Sequence, residues 1–235
     1  MTKKNQKTGR NVVVLTALVC LLMLGGSIAW LTSKSELTNV FTVGEIKPVD
    51  PEKEPTGPTG PIQPDDPELS TKLNGNLYEP SWVANSKLMP GKNIKKDPYI
   101  GVGPKSEKSY VYMYVKNSMT NDGNDIYFTI NEGWEAVEAT SIDGGNKNYT
   151  GGLFRYTAGL DASNSDVNVW TTTPLFNEVI VKDTATSDDF KDKTSKDNVG
   201  TILVQSFLHQ MEDEGKTIEP SVANAAAKAA FGINN

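Results

Sequence analysis

Apolar and polar positions fall into three regimes along the chain. Lys3, Lys4, Lys7 and Arg10 precede an apolar run from Val12 to Leu24, and the small residues Gly25, Gly26, Ser27 and Ala29 follow it. A charged head, an apolar centre of this length and a small-residue site predict a secretory signal peptide over 1–29, cut between Ala29 and Trp30. The competing reading is an uncleaved helix over 12–31, close to the ~20 residues that a bilayer requires. Gly25-Gly26-Ser27 breaks its apolar character and no charge cluster directly follows Leu31, so cleavage fits better. Cys20 sits mid-run after bulky Val19, which is not where a lipoprotein cysteine stands.

The second regime, 30–47, is an arm whose Val40-Phe41-Thr42-Val43 is rich in β-formers and stops at Gly44, so it reads as one strand. Composition then shifts. Seven of the thirteen prolines (Pro48, Pro51, Pro55, Pro58, Pro61, Pro64 and Pro67) crowd into 48–69, which excludes that stretch from the interior of a sheet or helix. It reads as a semi-rigid polyproline-II linker with a reach on the order of 60 Å.

The third regime, 70–235, alternates with a period of two. In Tyr110–Lys116, Val111, Met113 and Val115 take one face and Tyr110, Tyr112 and Tyr114 the other. Ile126–Ile130 forms a second strand, and the polar turn Asn121-Asp122-Gly123-Asn124 between the two predicts a hairpin. Leu153–Thr157, Leu175–Lys182 and Thr201–Leu208 follow, the last with Ile202, Val204 and Leu208 on one face. Short strands separated by turn signals predict an all-β, antiparallel sandwich. One helix is expected at the end. It starts at Glu219-Pro220-Ser221 with Ser221 as its cap, stops at Gly232, and is anchored by Phe231 because so short a helix needs docking.

Charge and cysteine content narrow the partners. Removing 1–29 takes four cations and no anion, leaving 19 Lys+Arg against 29 Asp+Glu and a formal charge of −10. Such a surface is not expected to bind nucleic acid or anionic lipid by bulk attraction, so contact with membrane is confined to export. Cys20 is the one cysteine, so the mature chain is held by its core rather than by disulfides, which fits a bacterial exported protein.

Gly25–Thr32 and Thr38–Gly44 resemble the export segment of the TasA/camelysin-like family of exported bacterial proteins. The likeness continues weakly through Tyr78–Trp82, Lys87–Gly91, Ile94–Pro98, Tyr110–Val115 and the helix before Phe231-Gly232. It implies a jelly-roll-like β-sandwich, a SipW-type signal peptidase as processing partner, and a secreted structural role in a cell-surface or biofilm matrix. It also implies fibres in which the strand freed at the mature N-terminus adds to the next subunit or to a related matrix protein. Val40, Phe41, Thr42 and Val43 are then the donor-strand candidates, with Phe41 and Val43, or Val40 and Thr42, facing inward. Pairing of the arm within its own chain is the alternative.

Catalytic chemistry finds little to use. His209 is the only histidine, and no His-Glu-x-x-His or Gly-x-Ser-x-Gly occurs, so the peptidase activity linked to part of that family is the least supported reading. No enzyme activity, catalytic residue or cofactor is expected. Glu132, Glu135 and Glu138 beside Trp134 are the nearest approach to a glycosidase carboxylate pair. Calcium is the one metal with hard oxygen ligands in reach, at Asp122, Asn124 and Asp125, although a tight turn requires the same residues. Asp188, Asp189, Asp192 and Asp197 are diluted by lysines and read as a solvated loop. An adhesin or glycan-binding module is the alternative function, with Trp134, Trp170, Tyr149 and Tyr156 stacking on sugars if they are not core. No Leu-Pro-x-Thr-Gly motif occurs, so sortase attachment is not expected.

Overall fold

The computed structural model describes residues 46–50, 53, 57, 76–82, 89–119, 123–145, 147–186, 201–213 and 215–233, with the backbone of 39–41 and 73–74. These residues belong to one unit beginning at Asn39. The signal-peptide residues, including Ser27 and Ala29, lie outside the described residues, as do Trp30, Thr42, Val43, Asp122 and the acidic loop at 188–197.

The fold is all-β with antiparallel sheets and one short C-terminal helix. Its centre is β6 (Ser109–Asn117), flanked by β12 (Ile202–Gln210) and by β9 (Asn148–Leu160). Past the end of β6, β7 (Ile126–Thr129) pairs with the same edge of β9 and is followed outward by β11 (Glu178–Val181) and β4 (Asn93–Lys95), while β8 (Trp134–Ser141) pairs with the opposite edge of β9. Beyond β12 lies β1 (Asn39–Phe41). A second sheet runs β10 (Val169–Trp170), β5 (Tyr99–Val102), β3 (Leu77–Tyr78) and β2 (Leu73–Asn74). A small ribbon joins β13 (Glu212–Asp213) to β14 (Lys216–Thr217) just before α1 (Pro220–Ala230).

The alternation read in β6 is real on both faces. Val111, Met113 and Val115 are buried on one side, level with Leu208, Ser206 and Val204 of β12. The tyrosine side is covered by α1. Tyr110 Oη donates to the Ile218 carbonyl at 2.7 Å, Tyr112 Oη donates to Asn224 Oδ1 at 2.8 Å, and the Tyr114 ring stacks on Phe231 at 5.0 Å. Burial pushes the Tyr112 phenol up to about 12, so it stays a neutral donor. Ala223 and Ala227 are fully buried against Tyr110, Tyr112, Leu153, Phe207 and Met211. Their small side chains let the helix approach closely, and the Lys228–Glu138 ion pair (2.6 Å) pins its last turn to β8.

The start of α1 differs from the sequence reading. Glu219 occupies the cap position, without a side-chain capping bond, and Ser221 lies inside the first turn. Proline at the first helical position explains this: it has no N–H to satisfy and its fixed φ already suits a helix. The end matches. Gly232 takes φ +67°, and the amides of Gly232 and Ile233 donate back to the carbonyls of Ala229 and Lys228, closing a Schellman turn.

The hairpin predicted between Tyr110–Lys116 and Ile126–Ile130 does not form. β6 and β7 both pair antiparallel with β9, on the edge opposite β8, at Gly152–Leu160 and at Asn148–Tyr149 respectively. They therefore run the same way, end to end, along one edge of β9. The intervening loop is too long for the two-residue turn that a tight hairpin demands. The actual hairpin is β8–β9, closed by Ser141 Oγ, which accepts from the amide of Gly145 at 2.9 Å.

Candidate functional site: the arm and the strap that follows it

β1 lies parallel to β12, the one parallel pair among the described strands, with Asn39 opposite Ser206, Val40 opposite Phe207 and Phe41 opposite Leu208. β12 is nine residues long and β6 covers its other edge in full. Among the described residues, β1 covers only three of the nine positions on the outer edge. Main-chain donors and acceptors on a strand edge are a template for another strand.

Five residues after β1 the chain becomes a strap clamped by side chains. Lys47 N donates to Ser106 Oγ (2.9 Å), and the Lys47 carbonyl accepts from Gly103 N (3.0 Å) and Asn76 Nδ2 (3.3 Å). Asp50 N donates to Asn168 Oδ1 (2.9 Å), while Asn168 Nδ2 donates to the carbonyls of Asp50 (2.7 Å) and Lys53 (2.6 Å). The three clamping side chains are buried. A proline-rich strap without a sheet partner must find its main-chain partners somewhere, and buried amides provide them. Ile46 is buried, and Val49 closes a cluster with Tyr78, Tyr99 and Trp170. A Cβ at residue 103 would collide with the Pro48 carbonyl oxygen, so glycine is required there. Composition places residues 48–50 in the linker, and the fold seats them on the domain.

Replacing Asn168 by alanine removes three strap contacts and leaves strap groups without partners. The expected loss is about 1–3 kcal/mol of unfolding free energy, read as a lower urea midpoint of residues 30–235.

The segments Tyr78–Trp82 and Ile94–Pro98 meet near this strap. Lys96 Nζ lies 2.8 Å from both carboxylate oxygens of Glu79 and 4.5 Å above the Trp82 ring centre. Beside them, Asp97 accepts from Ser81 N (2.8 Å) and Ser81 Oγ (2.7 Å). Burial holds the Asp97 carboxyl above the usual carboxylate range despite those two bonds.

Other sequence candidates are dispersed. Asn124 takes a left-handed φ of 49°, as a turn residue does, and Lys182 Nζ donates to the neighbouring Gly123 carbonyl at 2.6 Å. Asp125 is buried, and no group of three or more His, Cys, Asp or Glu side chains among the described residues is placed to hold a metal. His209 Nδ1 lies 2.7 Å from the Gln210 carbonyl. Glu135 is engaged by Arg155 and Glu138 by Lys228, so the carboxylates beside Trp134 serve ion pairs between elements. Trp134, Tyr149, Tyr156 and Trp170 are all buried, which corrects their reading as sugar-stacking surfaces. Apolar rings gain more from the core than from solvent, and Trp134 packs on Tyr156 with ring centres 5.1 Å apart and planes tilted by 51°. No helix among the described residues is long and apolar enough to cross a membrane. Compared with family models, with characterised proteins and with solved structures, the chain matches none.

The strand expected over Val40–Val43 overlaps β1 at Val40 and Phe41, with Thr42 and Val43 outside the described residues, and the strap was not expected. The proline-rich composition spoke for a linker, and no local pattern marks Asn76, Ser106 and Asn168 as partners of residues so distant in the chain.

Proposed function

We propose that this chain is an exported structural protein of the bacterial cell surface or extracellular matrix, which assembles with copies of itself or with related matrix proteins by strand addition. The single observation that carries this reading is the short parallel pairing of β1 with β12, whose outer edge has no other strand partner among the described residues. An N-terminal strand held by three register pairs can be replaced by the same strand from a neighbour, because an exchanged element makes identical contacts in either arrangement. The resemblance of the export segment and arm to TasA/camelysin-like proteins points the same way, toward a jelly-roll-like domain released by a SipW-type peptidase between Ala29 and Trp30. The acidic mature chain suits a secreted protein kept soluble until it assembles.

The mature chain, residues 30–235, is expected to form regular filaments when concentrated from monomer, as seen by negative-stain electron microscopy. Val40→Pro removes a main-chain donor from the arm strand. It is expected to lower filament yield at least tenfold while circular dichroism shows an unchanged β signal. Filaments from the proline variant at wild-type yield would contradict strand addition through β1.

A further inference from the structure

We infer that the groove holding residues 46–53 is an exchange site for the same segment of a second copy, so that the donated unit is strand plus strap, 39–53, rather than the bare strand. This rests on the strand-addition reading and specifies what passes between subunits. Phe41 and Ile46 are five peptide steps apart, a reach of at most about 17 Å. While the strap sits on its own domain, β1 is tethered by that short span to the immediate surroundings of its own β12. The proline-rich linker gives β1 no added reach in that state, because it follows the strap in the chain. Releasing the strap changes this. Gly57 is buried as well, so the free tether is counted from residue 58: residues 58–69, rich in proline, then add about 37 Å of semi-rigid reach. Delivery to a neighbour therefore moves the strap together with the strand.

The groove has the chemistry of a peptide-binding site. Asn76, Ser106 and Asn168 address main-chain amides and carbonyls of residues 47, 50 and 53, and Gly103 leaves room for the Pro48 carbonyl. Side-chain selection comes from Val49, enclosed with Tyr78, Tyr99 and Trp170. A proline-containing segment with a β-branched apolar residue three positions after another, closed by a turn in which Lys53 N donates to the Asp50 carbonyl, fits, and 46–53 of a second copy supplies it.

The test refolds the mature chain from denaturant with fluorescent peptides at millimolar concentration, comparable to the effective concentration of a tethered segment. Three peptides are compared: residues 39–53, residues 39–45, and 39–53 carrying Val49→Asp. Uptake of the long peptide at least tenfold above both others, falling about tenfold in the folded Asn168→Ala variant, is the expected result. Equal uptake of 39–53 and 39–45, no uptake of either, or indifference to Val49→Asp and Asn168→Ala overturns the inference. Filament formation by the mature chain alone is scored separately. A chain that captures the long peptide but never forms filaments contradicts the assembly reading and leaves the exchange site standing. Filaments with no capture do the reverse.

Discussion

Replacing Lys96 by alanine is expected to cost the domain about 3–5 kcal/mol of unfolding free energy, the range seen when one partner of a buried ion pair is removed. The cost arises from desolvation. The side chains of Lys96 and Glu79 are 5% and 2% exposed, and the ammonium is equidistant, at 2.8 Å, from both carboxylate oxygens. It also lies 4.5 Å from the Trp82 ring centre, so the variant loses a cation–π contact as well. Without the lysine, Glu79 is left in the interior without its cation, which costs stability. Domains of this kind hold only about 5–15 kcal/mol in total, so the variant loses a large part of it. The double replacement Lys96→Met with Glu79→Leu removes both charges and keeps the volume. It is expected to fall within about 1 kcal/mol of the parent or above it. Urea denaturation of the single and double variants checks the pair. A loss below about 1 kcal/mol for Lys96→Ala would mean that water reaches Glu79 and that the pair behaves as a surface one.

The second large effect concerns the docked helix. Ala227 is fully buried where α1 meets the tyrosine face of β6. Aspartate there forces a carboxylate against Tyr112, Leu153 and Phe207, with an expected cost of at least about 3 kcal/mol and undocking of the helix. Ala225→Asp, on the exposed side of the same helix, carries the same change in helix propensity and should cost only about 0.7 kcal/mol. Near-ultraviolet circular dichroism reports the tyrosines that the helix covers. Its collapse in the first variant, and its preservation in the second, would show that packing rather than helix propensity holds the C-terminus.

Different parts of the molecule were legible to different degrees, and the reasons are physical. Tyr110–Val115 declared itself because both faces of a central strand are packed, one by valines and methionine, the other by tyrosines whose hydroxyls bond the C-terminal segment. Gly232 marked the end of the helix because only a left-handed residue closes that turn. β8 escaped detection. Its Glu135 and Glu138 meet cations from β9 and α1, so charge stands where a sequence reader expects alternating apolar residues. The hairpin reading failed since a turn signal reports a reversal, not the partner, and β9 took both neighbouring strands along one edge. The strap was illegible for a related reason: its hydrogen bonds run to side chains up to 118 residues away, and proline-rich composition gives no hint of burial.

Removing the N-terminal arm decides whether, as proposed, it joins one subunit to the next. Negative-stain microscopy of residues 30–235 and 48–235, purified alike and concentrated together, tests it most directly. Filaments from the longer chain and monodisperse particles from the shorter one, with equal β content by circular dichroism, are what the account predicts. Filaments of the same morphology from 48–235 would contradict it, since assembly would then proceed without the arm.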